Sequence, residues 1–169
     1  MIEVIPATSP EEVEEAVSFR RGLLAFDLGH RAEASRVDRD PGTVHCLVRN
    51  GEGACIGTGR LAAPIDTDDG GELIEGNPII GPIVVAESER GKGIGRAILA
   101  FLEEEALTTY GSNGTVRVEA WVPGSMAKDA GAVGYTIEED NGMIRGAPIQ
   151  VFRDILAGID DSRRGPAVA

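Results

Sequence analysis

A chain of 169 residues is long enough for one domain with an adequate core. Apolar residues make up 42% and charged residues 26%, a globular balance, and no apolar run reaches the ~18 residues that would predict a membrane span. The 16 Lys and Arg against 28 Asp and Glu give a net charge of −12, which argues against nucleic acid as a partner and favours cationic small molecules or basic peptides.

In chain order, the opening residues Met1 to Ala16 lack the basic start and apolar stretch of a secretion signal, so the expected compartment is the cytoplasm. Ile2 to Pro6 reads as a short strand ended by proline. Ser9-Pro10-Glu11-Glu12 then predicts a helix start, with Ser9 as cap, Pro10 in the first turn and Glu12 completing a capping box. Val13, Ala16, Val17 and Leu24 follow at helical spacing. The charged stretch His30 to Asp40 breaks that pattern and predicts a loop or short helix.

Thr43 to Arg49 and Ala54 to Ala62 read as strands joined by the turn Asn50-Gly51-Glu52-Gly53. Two cysteines, Cys46 and Cys55, flank this turn and are placed to face each other across it. They are too few for a disulfide framework and lack metal-ligand spacing, so they are expected to be free thiols packed in the core. Asp66 to Gly76 reads as a solvated acidic loop.

Ile79 to Ala86 is a nearly continuous apolar run, as suits a strand buried on both faces. Pro82 removes a ladder donor, so this strand either starts there or is bulged. A helix with Ile94, Ala97, Ile98, Phe101 and Leu102 on one face comes next. Thr115 to Val122 is a β-branched strand, Ser125 to Val133 a short helix, and Tyr135 to Glu139 with Pro148 to Arg153 a closing pair of strands. The order β-α-β-β-β-α-β-α-β-β is a mixed α/β arrangement.

The segment that carries chemistry is Glu89-Arg90-Gly91-Lys92-Gly93-Ile94-Gly95-Arg96. A helix N-terminus offers unpaired N–H groups and partial positive charge to a phosphate or pyrophosphate. Glycines let the backbone approach such an anion without a Cβ in the way. Arg90, Lys92 and Arg96 concentrate positive charge in an otherwise acidic chain. The spacing is neither a Walker A loop nor the Rossmann fingerprint G-x-G-x-x-G.

The pattern Arg90-x-x-Gly93-x-Gly95, behind an apolar strand and opening an amphipathic helix, resembles motif A of the GNAT family of N-acetyltransferases. The preceding strand is similar to that family's fourth strand, and Gly134-Tyr135 resembles its Gly-Phe/Tyr pair. The resemblance covers nearly the whole chain, with motif A as its specific part. It implies an α/β (α+β) fold in one domain over 1–159, while the charged, Gly- and Pro-containing stretch 160–169 reads by composition as a flexible tail. The sheet would be mixed, mostly antiparallel, with six or seven strands flanked by helices and splayed between strands 4 and 5.

The resemblance further implies acetyl-CoA as acyl donor. Backbone N–H groups of Gly91, Lys92, Gly93, Ile94, Gly95 and Arg96, helped by Arg90, would hold the CoA pyrophosphate. Main-chain groups of Ile83, Val84 and Val85 would pair with pantetheine, and an N–H near Ile83 would polarise the thioester carbonyl. An amine of a small molecule or peptide would attack directly after losing a proton to a base. Glu119, on an apolar strand, and His45 are the candidate bases. Four residues before Gly134, where the family often has a proton-donating Tyr, stands Ala130. Ser125 is the candidate to replace it. The alternative is a catalytically silent acyl-CoA-binding module. Homodimers are common in the family, and the sequence leaves the oligomeric state open.

Overall fold

The computed structural model describes residues 1–27, 36–63, 66–67, 73–74, 76–122, 127–137 and 149–157. These contain strands β1 (Ile5–Pro6), β2 (Val44–Arg49), β3 (Cys55–Ala62), β4 (Asp66–Thr67), β5 (Leu73–Ile74), β6 (Ile79–Ile80), β7 (Val84–Val85), β8 (Thr115–Val122), β9 (Thr136–Ile137) and β10 (Ile149–Leu156). The helices are α1 (Pro10–Asp27), α2 (Ile94–Tyr110) and α3 (Ala127–Ala132), with 3-10 turns at Arg36–Arg39 and Glu87–Glu89. Eight of the strands form one mostly antiparallel mixed sheet. The expected single strand Ile79 to Ala86 is broken into β6 and β7, which accounts for the count exceeding the expected six or seven. Contacts divide the chain into two compact units, 1–63 with 80–105, and 64–79 with 106–169.

In the first unit, α1 starts as its sequence dictates. The Glu12 N–H donates to Ser9 Oγ at 3.1 Å, and the Ser9 N–H donates back to Glu12 Oε2 at 3.0 Å. These bonds, with one from the Thr8 N–H, hold the Glu12 carboxyl below its ordinary range. β2 and β3 pair antiparallel, with His45 opposite Arg60 and Cys46 opposite Gly59. The hairpin closes through the Asn50 side chain, which accepts from the N–H groups of Glu52 and Ala54, while Gly53 takes φ +84°.

Cys55 pairs with Arg49, not with Cys46, so the two thiols do not face each other as the turn had suggested. A bulge at Val48/Arg49 shifts the register between them. Cys46 is fully buried, and burial pushes its thiol up to about 12; burial raises Cys55 as well. Cys46 is thus a packing group of the core, whereas Cys55 is only half-buried.

α2 packs against one face of this hairpin, where β3 carries glycines. A Cβ at Gly57 would lie 2.9 Å from Ile94 Cγ2, and one at Gly59 would lie 2.6 Å from Ile98 Cγ2. Ile94, Ile98 and Leu102 are buried there together with Cys46. Side chains alternate along a strand, so Arg60 and His45 point to the other face, where α1 brings Arg20.

In the second unit, β8 and β10 form an eight-residue antiparallel ladder from Ile149↔Val122 to Leu156↔Thr115, and β9 adds to β10. Ile79 of β6 runs parallel to Glu119 of β8. Ala106, Val116, Val118, Tyr135 and Val151 are buried apolar residues of this unit. The acidic loop contains a correction: Asp66–Thr67 and Leu73–Ile74 pair as a small antiparallel ladder. Among the described residues, no helix is long and apolar enough to cross a membrane, and no cluster of His, Cys, Asp and Glu could hold a metal ion.

Candidate functional site

β7 leads into the glycine-rich loop. Gly57 pairs with Val85 and Thr58 with Val84, and the Ala86 N–H donates to the Ile56 carbonyl at 2.9 Å. In an antiparallel ladder this makes Val85 and Gly57 a non-hydrogen-bonded pair. The N–H and C=O of Val85 therefore point away from β3, and those of Val84 point into it. This narrows the expectation for Ile83, Val84 and Val85: the Val84 main chain is engaged with β3 and does not face outward. Arg90 Nε donates to the Val85 carbonyl at 3.1 Å, so Arg90 folds back on the strand's outward side.

Extending the register by two residues would bring Pro82 opposite Arg60. Proline has no N–H for the Arg60 carbonyl. Gly81 donates there instead at 2.9 Å, with φ +113°, and this substitution interrupts the strand between β6 and β7.

After the turn Glu87–Glu89, Gly91 and Gly93 take φ +77° and +85°, conformations that side chains resist. Among the described residues, nothing lies within 4 Å of the place where a Gly91 Cβ would be. The first helical bond of α2 runs from the Ala97 N–H to the Gly93 carbonyl at 3.0 Å. Gly93 is thus the cap residue, and the N–H groups of Ile94, Gly95 and Arg96 are the first-turn donors without helical acceptors. The Ile94 side chain is buried against β3, which fixes the helix start while leaving its N–H outward. Gly95 faces Val85, whose Cγ2 is 3.7 Å from a Gly95 Cβ.

The loop's basic residues differ in availability. Lys92 Nζ lies 3.0 Å from Glu89 Oε2 in an exposed pair, and Arg96 is half-buried. Such a surface pair is worth about 0–1 kcal/mol and yields readily to a stronger anion. Open space over Gly91, two left-handed glycines and three outward donors fit a pyrophosphate.

Glu119 is half-buried on β8. Its Oε1 accepts from Asn77 Nδ2 at 2.8 Å, and its N–H donates to the Pro78 carbonyl at 3.0 Å. The carboxylate is thereby oriented by a neighbour that the sequence had not singled out. Ser125 lies outside the described residues, as does the Trp121 side chain. Ala130 sits in α3, and its carbonyl accepts the N–H groups of Val133 and Tyr135. Gly134 ends that segment at φ +93°, and Tyr135 is buried.

His45 is not poised as a base. Its Nε2 lies 3.0 Å from the Asp38 carbonyl and its Nδ1 3.4 Å from Arg20 Nη2. A donor at Nε2 and an acceptor at Nδ1 describe a neutral imidazole, and burial lowers its pKa from 6.5. Asp38 Oδ1 takes both Arg20 Nη2 at 2.8 Å and Arg60 Nη1 at 2.7 Å. Burial opposes ionisation of Asp38, but the bonds and charges of Arg60 and Arg20 outweigh it and hold its pKa below 3.8. Burial also lowers Arg20, whose Nη1 has no hydrogen-bond partner among the described residues. Sequence reading missed this cluster. The one signal for it was a charged residue, Arg20, on the same helical stripe as Ala16 and Val17.

A family model described as Acetyltransferase (GNAT) family matches residues 10–127. No curated protein matches the chain in sequence. Among solved structures, the chain is similar to an acyl-CoA N-acyltransferase from Pseudomonas aeruginosa, at 15% identity, with 89% of this chain and 99% of that one covered and a TM-score of 0.70. Escherichia coli ElaA is similar at 15% identity, 90% and 99% coverage and a TM-score of 0.68. An aminoglycoside 6'-N-acetyltransferase complexed with coenzyme A is similar at 14% identity, 95% and 99% coverage and a TM-score of 0.64. At these identities the likeness speaks for the fold, while the family model spans most of the chain and includes β7, the glycine loop and α2. The chain belongs to the GNAT acetyltransferase family, whose acyl donor is acetyl-CoA.

Proposed function

We propose that this protein is an acetyl-CoA-dependent N-acetyltransferase acting on a primary amine of a small molecule or peptide. The observation that carries the reading is the start of α2. Three outward N–H groups, at Ile94, Gly95 and Arg96, follow two left-handed glycines and open space. Together with Gly91, Lys92 and Gly93 they would hold the two phosphates, with Arg90 and Arg96 adding charge. The outward main chain of Val85, and that of Ile83, would run beside the pantetheine arm. Acetyl-CoA supplies a thioester open to attack by an amine. The Ile83 N–H would lie at the acetyl oxygen and favour charge developing there. Glu119, oriented by Asn77, would take the proton of the incoming amine. Ser125 would return a proton to the departing thiolate.

The net charge of −12 favours a cationic acceptor. We place the protein in the cytoplasm and leave both monomer and homodimer open. A second reading, a silent acyl-CoA-binding module, is favoured by Ala130, which has no proton to give where the family often has a Tyr. Thiol release from acetyl-CoA with polyamines, amino acids and aminoglycosides separates the two. Turnover with at least one amine is expected. Saturable CoA binding without turnover across that panel would favour the silent module.

A further inference from the structure

We infer that Arg60 is a positioning residue for the acetyl carbonyl of the donor, an inference that rests on the proposed function. Arg60 grips Gly81 at both polar atoms. Its carbonyl accepts the Gly81 N–H at 2.9 Å, and its Nε donates to the Gly81 carbonyl at 3.0 Å. Three residues on, Val84 is fixed in the ladder opposite Thr58. Ile83 is thus suspended between two hydrogen-bonded anchors. The Gly81 N–H is already used and Pro82 has none, which makes the Ile83 N–H the first amide after β6 able to serve a ligand.

The grip of Arg60 is itself oriented. Its Nη1 binds Asp38 Oδ1, so one planar guanidinium spans Asp38 and Gly81 at once. Asp38 in turn is tied to α1 through Arg20, and its carbonyl to β2 through His45. Asp38 and the Arg20 guanidinium are almost wholly buried, so this frame is not loosened by water. An oxyanion donor is effective only when held where charge develops. The buried frame Arg20–Asp38–Arg60 supplies that rigidity to the Gly81–Ile83 backbone without touching the donor.

The test reads the carbonyl directly and needs no acceptor. Acetyl-CoA carrying carbon-13 at the acetyl carbonyl is bound to the full chain, and the C=O stretch is recorded by difference infrared spectroscopy. The wild type is expected to shift this band to lower wavenumber. Arg60→Met is expected to lose about half or more of that shift while acetyl-CoA affinity stays within about threefold, because the pyrophosphate loop is untouched. Arg60→Lys keeps the charge but cannot bridge Asp38 and Gly81 with a planar fork. It should lose the shift too, and it serves in place of Arg60→Met if that variant does not fold. A folded variant with the wild-type band would overturn the positioning role and leave the proposed function standing, as would a wild type that binds acetyl-CoA without shifting the band. Failure of the wild type to bind acetyl-CoA overturns the proposed function, and the positioning role falls with it.

Discussion

Gly57→Ala couples the packing of α2 to the affinity for CoA. The new Cβ would sit 2.9 Å from Ile94 Cγ2, about half an ångström inside ordinary contact, and 3.1 Å from Ile98 Cδ1. Ile94 Cγ2 is a branch at Cβ and cannot swing aside as a long side chain would. Ile94 and Ile98 are buried, so relief must come from a shift of α2 away from β3. Overpacking of this kind costs about 1–3 kcal/mol. For a chain of this length that lowers Tm by about 2–4 °C per kcal/mol. The shift falls on Ile94, the first helical residue, and carries the pyrophosphate donors with it. We expect CoA to bind about three- to tenfold more weakly, since an anion contact at a helix N-terminus is worth about 0.3–2 kcal/mol. Gly59→Ala is the control. Its Cβ meets Ile98 Cγ2 at 2.6 Å and Leu102 Cδ1 at 2.9 Å, one to two turns further along α2. It should lower Tm at least as much and affect CoA less. Calorimetric titration with CoA and thermal unfolding by circular dichroism measure both effects. A folded Gly57→Ala protein with wild-type Tm and CoA affinity would refute the argument.

Gly93→Glu forces a side chain onto φ +85° and puts a negative charge at the cap of α2. We expect the thermal stabilisation by CoA to vanish with the fold retained; a folded mutant with native CoA affinity would remove the pyrophosphate from this loop. Glu119→Gln should lower turnover about 100-fold or more, while CoA binding is unchanged, if Glu119 takes the amine proton. Unaltered turnover across pH would assign the base elsewhere. His45 gives a pH prediction. Its folded pKa is lowered by burial, beside Arg20, Asp38 and Arg60, so protonation favours the unfolded chain. The stability it contributes is present above 6.5 and is lost as pH falls below it, at up to about 1.4 kcal/mol per pH unit. His45→Gln should flatten that part of the urea-unfolding profile, and an unchanged slope would contradict the neutral, buried assignment.

What the sequence made legible was the part of the site built from backbone. Only glycine adopts the left-handed conformations at 91 and 93 easily, and only a helix start needs a cap there, so residue types alone mark the cradle. The strands β2, β3 and β8 and the helices α1 and α2 were legible for the same local reasons: alternation, β-branched runs and a complete capping box. The interruption at 81–83 was foreshadowed by Pro82, but its consequence was not. That the Gly81 N–H replaces the missing donor depends on the register with Arg60, 21 residues away in the chain. The thiols were misread because Cys46 lies four residues before the Asn50–Gly53 turn and Cys55 only two after it, so the hairpin's register sets Cys46 opposite Gly59 and Cys55 opposite Arg49.

The chemical half of the reaction had no comparable local signature, and the physical reason is visible in Glu119 and His45. Both are titratable residues on strands with apolar neighbours, and from sequence Glu119 stood first with His45 as the other candidate. Their partners differ: Asn77, 42 residues from Glu119, orients a half-buried carboxylate, whereas Asp38 and Arg20 enclose the imidazole on both nitrogens. A base must keep one acceptor directed at its proton, and His45 has spent its own on the frame behind Arg60. The same enclosure that removes His45 from the chemistry makes it part of the scaffold holding Gly81. In this chain the side chains that never meet the substrate therefore carry as much of the proposed mechanism as the loop that does.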